Sequence, residues 1–322
     1  MRSTRLTSSA LIVLLAGFGV AGSLDAVNSY YVYIADLVLI NAIAAIGLVI
    51  LSGVAGLLSL GTAALLAIGA YTTAILMLQV GLGFVPAVLA GAALTTLLGA
   101  ALAAPALRLG GLHLAIVTLA FGVIVVQLIG KGGALTGGMT GLTLPEVTIF
   151  GIVMDTDTRK FWVIAAVFLA VSLTATSFVS RKPGRALLVL KEREVMARAL
   201  GVHTSFYKTI AFAYSSLLAG LAGGLYAMLK GYISVDDFTV TQSIYFFIMI
   251  VIGGMTSIVG GILGAAFVTV LPEVLSELKD SADAVFGVLT MLIILVLPGG
   301  LVSLVRAFHD RIRPPEQREA ST

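Results

Sequence analysis

With no cysteine among its 322 residues, the chain can hold no disulfide, no thiolate metal site and no cysteine nucleophile. Charge is nearly as scarce, since Asp, Glu, Lys and Arg make up 11% of the chain against about 25% in soluble domains. Water-facing surface needs charge to stay solvated. A chain that is 59% apolar, with a mean hydropathy of +1.10, therefore has lipid as its main solvent. Only three histidines occur, His113, His203 and His309, too far apart in sequence for metal-ligand spacing. No phosphate-binding loop is present: Gly130-Lys131-Gly132 lacks both the upstream glycine and the hydroxyl of that motif. These shortages argue against an enzyme and leave no cofactor to expect. The net charge of +3 is too small to suggest a nucleic-acid partner.

What is present is a series of long stretches free of Asp, Glu, Lys and Arg: 6–24, 37–107, 109–130, 161–180, 209–229, 238–272 and 284–305. Crossing a hydrocarbon core of ~30 Å takes ~20 helical residues at ~1.5 Å each. The stretch 37–107 must hold several spans, and breaks at Ser52–Gly56 and Gln79–Gly83 divide it into spans near 34–51, 57–78 and 84–107. The 35 residues of 238–272 would reach ~52 Å as one helix. Gly253-Gly254 and Gly260-Gly261 offer breaks, and two short spans joined near Met255-Thr256-Ser257, or a re-entrant pair, meet the length constraint. The expected fold is an all-α polytopic bundle of about ten spans forming one permease-like membrane domain over 1–322. The first 24 residues also look like a signal peptide, but Gly22-Ser23-Leu24 lacks a small-x-small cleavage site and a retained span is preferred.

Lys and Arg concentrate on the cytoplasmic side of membrane proteins. With the N-terminus inside, 14 of the 19 fall in inner segments and five (Lys131, Arg159, Lys160, Lys230 and Lys279) in outer ones. The hydrophilic pieces are then an outer loop 131–160, an inner loop 181–208 and an inner tail 306–322.

The spans hold few ionisable groups, and Asp36, Arg108 and His113 fall near span ends. Ion-coupled carriers usually keep such groups at mid-membrane, so a conduit driven from elsewhere fits better, although backbone carbonyls at broken helices also bind ions. Small residues abound, and Gly220-xxx-Gly224 and Gly260-xxx-Gly264 read first as close helix packing. The inner loop from Gly184 to Gly201, GRALLVLKEREVMARALG, reads as an amphipathic helix with Glu194 and Arg198 at i,i+4. Such a helix rests on lipid or docks in a groove of a cytosolic partner.

Several stretches, in order, resemble the permeases of high-affinity branched-chain amino-acid ABC importers of the LivM type. They are Leu58-Ser59-Leu60-Gly61 with Ala67 to Thr72; Arg108 to Gly122; Thr136-Gly137-Gly138 with Gly141-Leu142; Gly184 to Leu187 with Ala197 to Gly201; and Gly253 to Gly260 with Gly264-Ala265. The chain departs from that pattern at His113, where an aromatic is more usual, at Val123, where an acid is common, and at Glu194-Val195-Met196-Ala197, which replaces Glu-Ala-Ala.

The resemblance implies ATP-driven import across a bacterial inner membrane, with a second homologous permease subunit, two cytosolic ABC ATPase subunits and an extracytoplasmic substrate-binding protein. The solute it implies is a branched-chain amino acid, with urea or a short amide as the alternative. An ion-coupled secondary carrier remains the alternative of another class. Coupling to the ATPase is expected of Arg185, Lys191, Glu192, Arg193, Glu194, Arg198 and Gly201, with Leu187, Leu190 and Met196 as anchors. The candidates for pathway or hinge are Ser59, Gly61, Thr118, Gly137, Gly138, Gly253, Gly254 and Ser257, because small and hydroxyl residues allow close backbone approach and weak polar contacts.

Overall fold

The computed structural model describes residues 29–106, 109, 111–149, 151–199, 201–275 and 282–304. The expected first span 6–24, Arg108, the tail 306–322 and the side chain of Arg198 lie outside the described residues. Eleven helices follow one another among the described residues: α1 (Ser29–Leu48, prolonged by a π-helical turn Val49–Val54), α2 (Thr62–Gln79), α3 (Phe84–Ala106), α4 (Leu112–Lys131), α5 (Asp157–Ser180), α6 (Lys182–Glu192), α7 (Glu194–Ala199), α8 (Thr204–Lys230), α9 (Val240–Gly253), α10 (Ile258–Leu275) and α11 (Ala282–Val296). Eight helical segments are long and apolar enough to cross a membrane, and Ala284–Val296 is a shorter apolar one. The chain is a polytopic helical bundle, as its charge-free stretches lead one to expect.

Burial sets the layers. The segment Ser29–Val54 is the most enclosed span, packed by α5, α8 and α10, while α4 and α5 keep most of their surface outward. The most extensive pairing is α3 with α8, where small residues let the backbones close. A Cβ at Gly220 would collide with Thr95 and one at Gly69 with the Gly220 backbone. The packing reading of Gly220-xxx-Gly224 holds.

Short strands tie the ends of helices on the face opposite α6 and α7. β1 (Leu142–Thr143) pairs antiparallel with β4 (Tyr232–Ile233), and β2 (Thr148–Ile149) with β3 (Ile152–Val153). On this face the Thr156 hydroxyl, with Arg159 at 2.7 Å, holds the exposed Asp155 carboxyl below its ordinary value.

Several boundaries differ from the sequence reading. The break expected at Ser52–Gly56 is softer, because α1 runs on to Val54 by widening into a π-turn, with the Ala55 N–H donating to the Ile50 carbonyl at 3.0 Å. The next span starts at Thr62 rather than 57, leaving 56–61 without helix. Gly254, at φ +117, does end α9, but Gly260 and Gly261 lie inside α10 and break nothing. They are packing residues: a Cβ at Gly260 would meet the Gly253 carbonyl oxygen at 2.6 Å, and one at Gly264 would collide with that of Met249. Asp36 sits seven residues into α1, about 10 Å from its start, rather than at a span end. It is fully buried, and neither carboxylate oxygen has a hydrogen-bond partner among the described residues.

Candidate functional site

The hydroxyl and glycine candidates Ser59, Gly61 and Thr118 come together where 56–61 enters α2. An unwound backbone buried in a bundle needs partners for its N–H groups, and side-chain hydroxyls supply them. The Leu60 N–H donates to Thr118 Oγ1 at 2.9 Å, the Gly61 N–H to Ser59 Oγ at 3.5 Å, and the Ala63 N–H to Ser243 Oγ at 3.1 Å. Thr118 in turn donates to the Ala115 carbonyl at 3.0 Å. Gly61 has no room for a side chain, since a Cβ there would lie 2.8 Å from the Thr118 carbonyl oxygen. The junction thus joins 56–61 to α4 and α9.

Gly253, Gly254 and Ser257 form a second site, the tip of the α9–α10 hairpin. The Ser257 N–H donates to the Gly254 carbonyl at 3.1 Å, and the Gly260 N–H to Ser257 Oγ at 3.3 Å. The tip packs on the foot of α1: a Cβ at Gly53 would collide with the Met255 carbonyl oxygen. Gly300, beyond α11, presses on Gly253 and Gly254 from another side. Higher in the same bundle, Asn41 Nδ2 donates to Thr269 Oγ1 at 2.9 Å, linking α1 to α10.

Gly137 and Gly138 belong to neither site. Both have positive φ (+69 and +56) in the turn after α4, on the strand-bearing face, where Thr136 Oγ1 donates to the Ile129 carbonyl at 2.6 Å.

The coupling candidates occupy the basic face, where α6 and α7 replace the single helix expected from Gly184 to Gly201. The chain breaks at Arg193 (φ −147, ψ 77), which turns α7 away from α6. Leu187 and Leu190 are buried, but against this chain's own bundle, where Leu187 clusters with Leu51, Val54, Leu57 and Phe212. Met196 is 53% exposed and packs on nothing that anchors it to this chain's own bundle. Arg185, Glu192 and Arg193 are exposed and face away from the bundle. Glu194 is held by Lys208 of α8 at 3.1 Å. Gly201 turns the chain toward α8 at φ +80.

Lys191 is exposed as well, but it lies back along the bundle, its Nζ donating to the Gly53 carbonyl at 2.8 Å while its stem lies over Gly56. Sequence reasoning placed Gly53 only within a chain break and did not single out Ser243. Ser243 was visible as a hydroxyl in a charge-free stretch, whereas the need for Gly53 arises from a residue 202 positions away.

An enclosed helical bundle with a broken hairpin and a basic-face helix pair describes a membrane permease, and the relatives of the chain agree. A family model described as "Branched-chain amino acid transport system / permease component" matches residues 30–298. The chain is 33% identical over 297 residues to the high-affinity branched-chain amino acid transport system permease protein LivM of Salmonella typhimurium, covering 85% of this chain and 70% of the relative. The same figures hold for LivM of Escherichia coli K12. It is 30% identical over 175 residues to the autoinducer 2 import system permease protein LsrC of Escherichia coli O157:H7, covering 50% of this chain and 49% of the relative. No solved structure matches the chain. The chain belongs to the branched-chain amino acid transport permease family and is a multi-pass protein of the inner membrane.

Proposed function

We propose that this chain is the membrane-spanning subunit of an ATP-driven ABC importer that carries branched-chain amino acids inward. The observation that carries this reading is the 33% identity to LivM over 85% of the chain, with the family model spanning both sites and the basic-face helices in residues 30–298. The chain has no phosphate loop of its own, so energy must arrive from partners. Exposed Arg185, Glu192 and Arg193 suit a cytosolic ATPase groove. The proposed assembly pairs this chain with a second homologous permease subunit, two cytosolic ATPase subunits and an extracytoplasmic binding protein that delivers the solute. Solute would pass near the Leu60–Thr118 junction and the hairpin tip.

The shorter likeness to LsrC favours one other reading, import of a sugar-like solute, and urea or a short amide remains a third. The deciding experiment is uptake into liposomes holding the full complex, with ATP inside and the loaded binding protein outside. Leucine, isoleucine and valine should accumulate, and autoinducer 2, urea and acetamide should not. Accumulation of one of the latter instead would reassign the solute. Uptake by the chain alone under an ion gradient would make it a secondary carrier.

A further inference from the structure

We propose that Lys191 is a positioning residue that pins the basic-face helix α6 to the foot of α1 and, through Gly53, to the tip of the α9–α10 hairpin, so that displacement of α6 reaches the hairpin. The proposal rests on the importer reading and adds to it a specific internal path.

Three observations carry it. First, the carbonyls at the end of a helix have no partner within it, and a cation there also meets the negative end of the helix dipole. Beyond the π-turn the backbone bonds run from Ala55 to Ile50 and from Leu57 to Leu51, and the described partner of the Gly53 carbonyl is Lys191 Nζ at 2.8 Å. Second, the Lys191 stem has a seat made for it. Gly56 has φ +71, and a Cβ there would lie 2.8 Å from Lys191 Cγ. Leu187 of the same helix is buried beside Leu51, Val54 and Leu57, and Leu190 is buried too, so apolar contact and a charged hydrogen bond fix α6 on one spot. Third, Gly53 is the point where that spot meets the hairpin. Its α-carbon packs on the Met255 carbonyl with no space for a methyl group, and Gly254 next to it bears on Gly299 and Val302. Contacts this close are displaced together rather than compressed, because packed interiors yield little.

The test uses Lys191→Met, which keeps the stem and removes the donor, and Lys191→Arg, which restores a donor. In the reconstituted complex, solute moved per ATP hydrolysed should fall about tenfold in Lys191→Met, the size expected for loss of one hydrogen bond to a charged group. It should recover toward the parental ratio in Lys191→Arg. A loss arising from misfolding alone would not be rescued in this way. Because the chain lacks cysteine, spin labels at Glu192→Cys and Thr256→Cys, both exposed, report the distance between α6 and the hairpin tip in the isolated chain. That distance should be narrow in the parent and broad in Lys191→Met. A parental transport ratio in Lys191→Met overturns the proposal, and so does an unbroadened distance. If the parental complex moves no solute, the importer reading fails while the distance measurement still decides whether the pin exists.

Discussion

The backbone N–H of Ala63 donates to the hydroxyl of Ser243 at 3.1 Å, joining the first turn of α2 to the first turn of α9 across 180 residues of sequence. Both residues are buried, so the N–H has no water to turn to. Ser243→Ala should lower the stability of the purified chain by about 1–3 kcal/mol, the usual cost of orphaning a buried donor. Ser243→Thr should retain most of it. Thermal unfolding in detergent measures both, and an unchanged midpoint for Ser243→Ala would mean that the bond contributes nothing.

Glycine substitutions should sort by what the new methyl group meets. Gly53→Ala, Gly253→Ala and Gly264→Ala drive a Cβ into backbone carbonyls and should reduce folded yield severely. Gly61→Ala, with a 2.8 Å approach to Thr118, should fold but lose uptake, and Gly61→Leu should lose more. Gly287→Ala in α11 meets nothing within 4 Å and should be neutral or stabilising by up to about 1 kcal/mol. Size-exclusion yield and uptake assays separate the three groups.

Asp36 is a buried carboxylate with no hydrogen-bond partner among the described residues, an arrangement that costs stability. Asp36→Asn keeps the shape without a formal charge and should leave the melting temperature unchanged or raise it. A drop of several degrees would reveal a partner for the carboxylate that the assembled protein provides.

The ion pair between Glu194 and Lys208, at 3.1 Å and largely enclosed on the lysine side, fastens α7 to α8. Replacing Glu194 by Gln or Lys208 by Met should each cost roughly 1 kcal/mol and reduce coupled transport. The reversed pair Glu194→Lys with Lys208→Glu should recover part of the loss, giving a non-additive cycle. Strict additivity would show the two residues to be independent. Substituting Glu194 and Arg198 together should likewise lower transport and substrate-stimulated ATP hydrolysis.

Topology has a direct check in a chain without cysteine. Thr156→Cys should react with an impermeant thiol reagent in intact cells, whereas Arg185→Cys should react only after permeabilisation, since both positions are exposed on opposite faces. The reverse pattern would invert the orientation.

The spans were legible because lipid permits few charges, and windows free of Asp, Glu, Lys and Arg located α3, α4, α5 and α8 to within a few residues. The small hydroxyl group at Ser59, Gly61 and Thr118 was legible as well, though its chemistry was not. Those hydroxyls accept from backbone N–H groups rather than face outward, a fact that depends on where 56–61 unwinds. The break at Arg193 escaped notice because GRALLVLKEREVMARALG is composed of helix formers throughout and carries no Gly or Pro between its end glycines. Tertiary contacts decide there: Leu187 seats α6 on α1, Lys208 draws Glu194 toward α8, and the chain bends between the two demands. Gly260 and Gly261 misled for the opposite reason, being helix breakers in isolation that serve here as the contact surface of a helix.

The unwound stretch 56–61 has a consequence for the economy of polar groups at depth. Outside the helical ladder, each amide and carbonyl of these six residues needs a partner from elsewhere. The N–H groups of Leu57, Leu60 and Gly61 find theirs in the Leu51 carbonyl and the hydroxyls of Thr118 and Ser59. A hydroxyl can turn about its own bond where a helical ladder cannot, so the bonds at Leu60 and Gly61 can exchange partners without any helix unwinding.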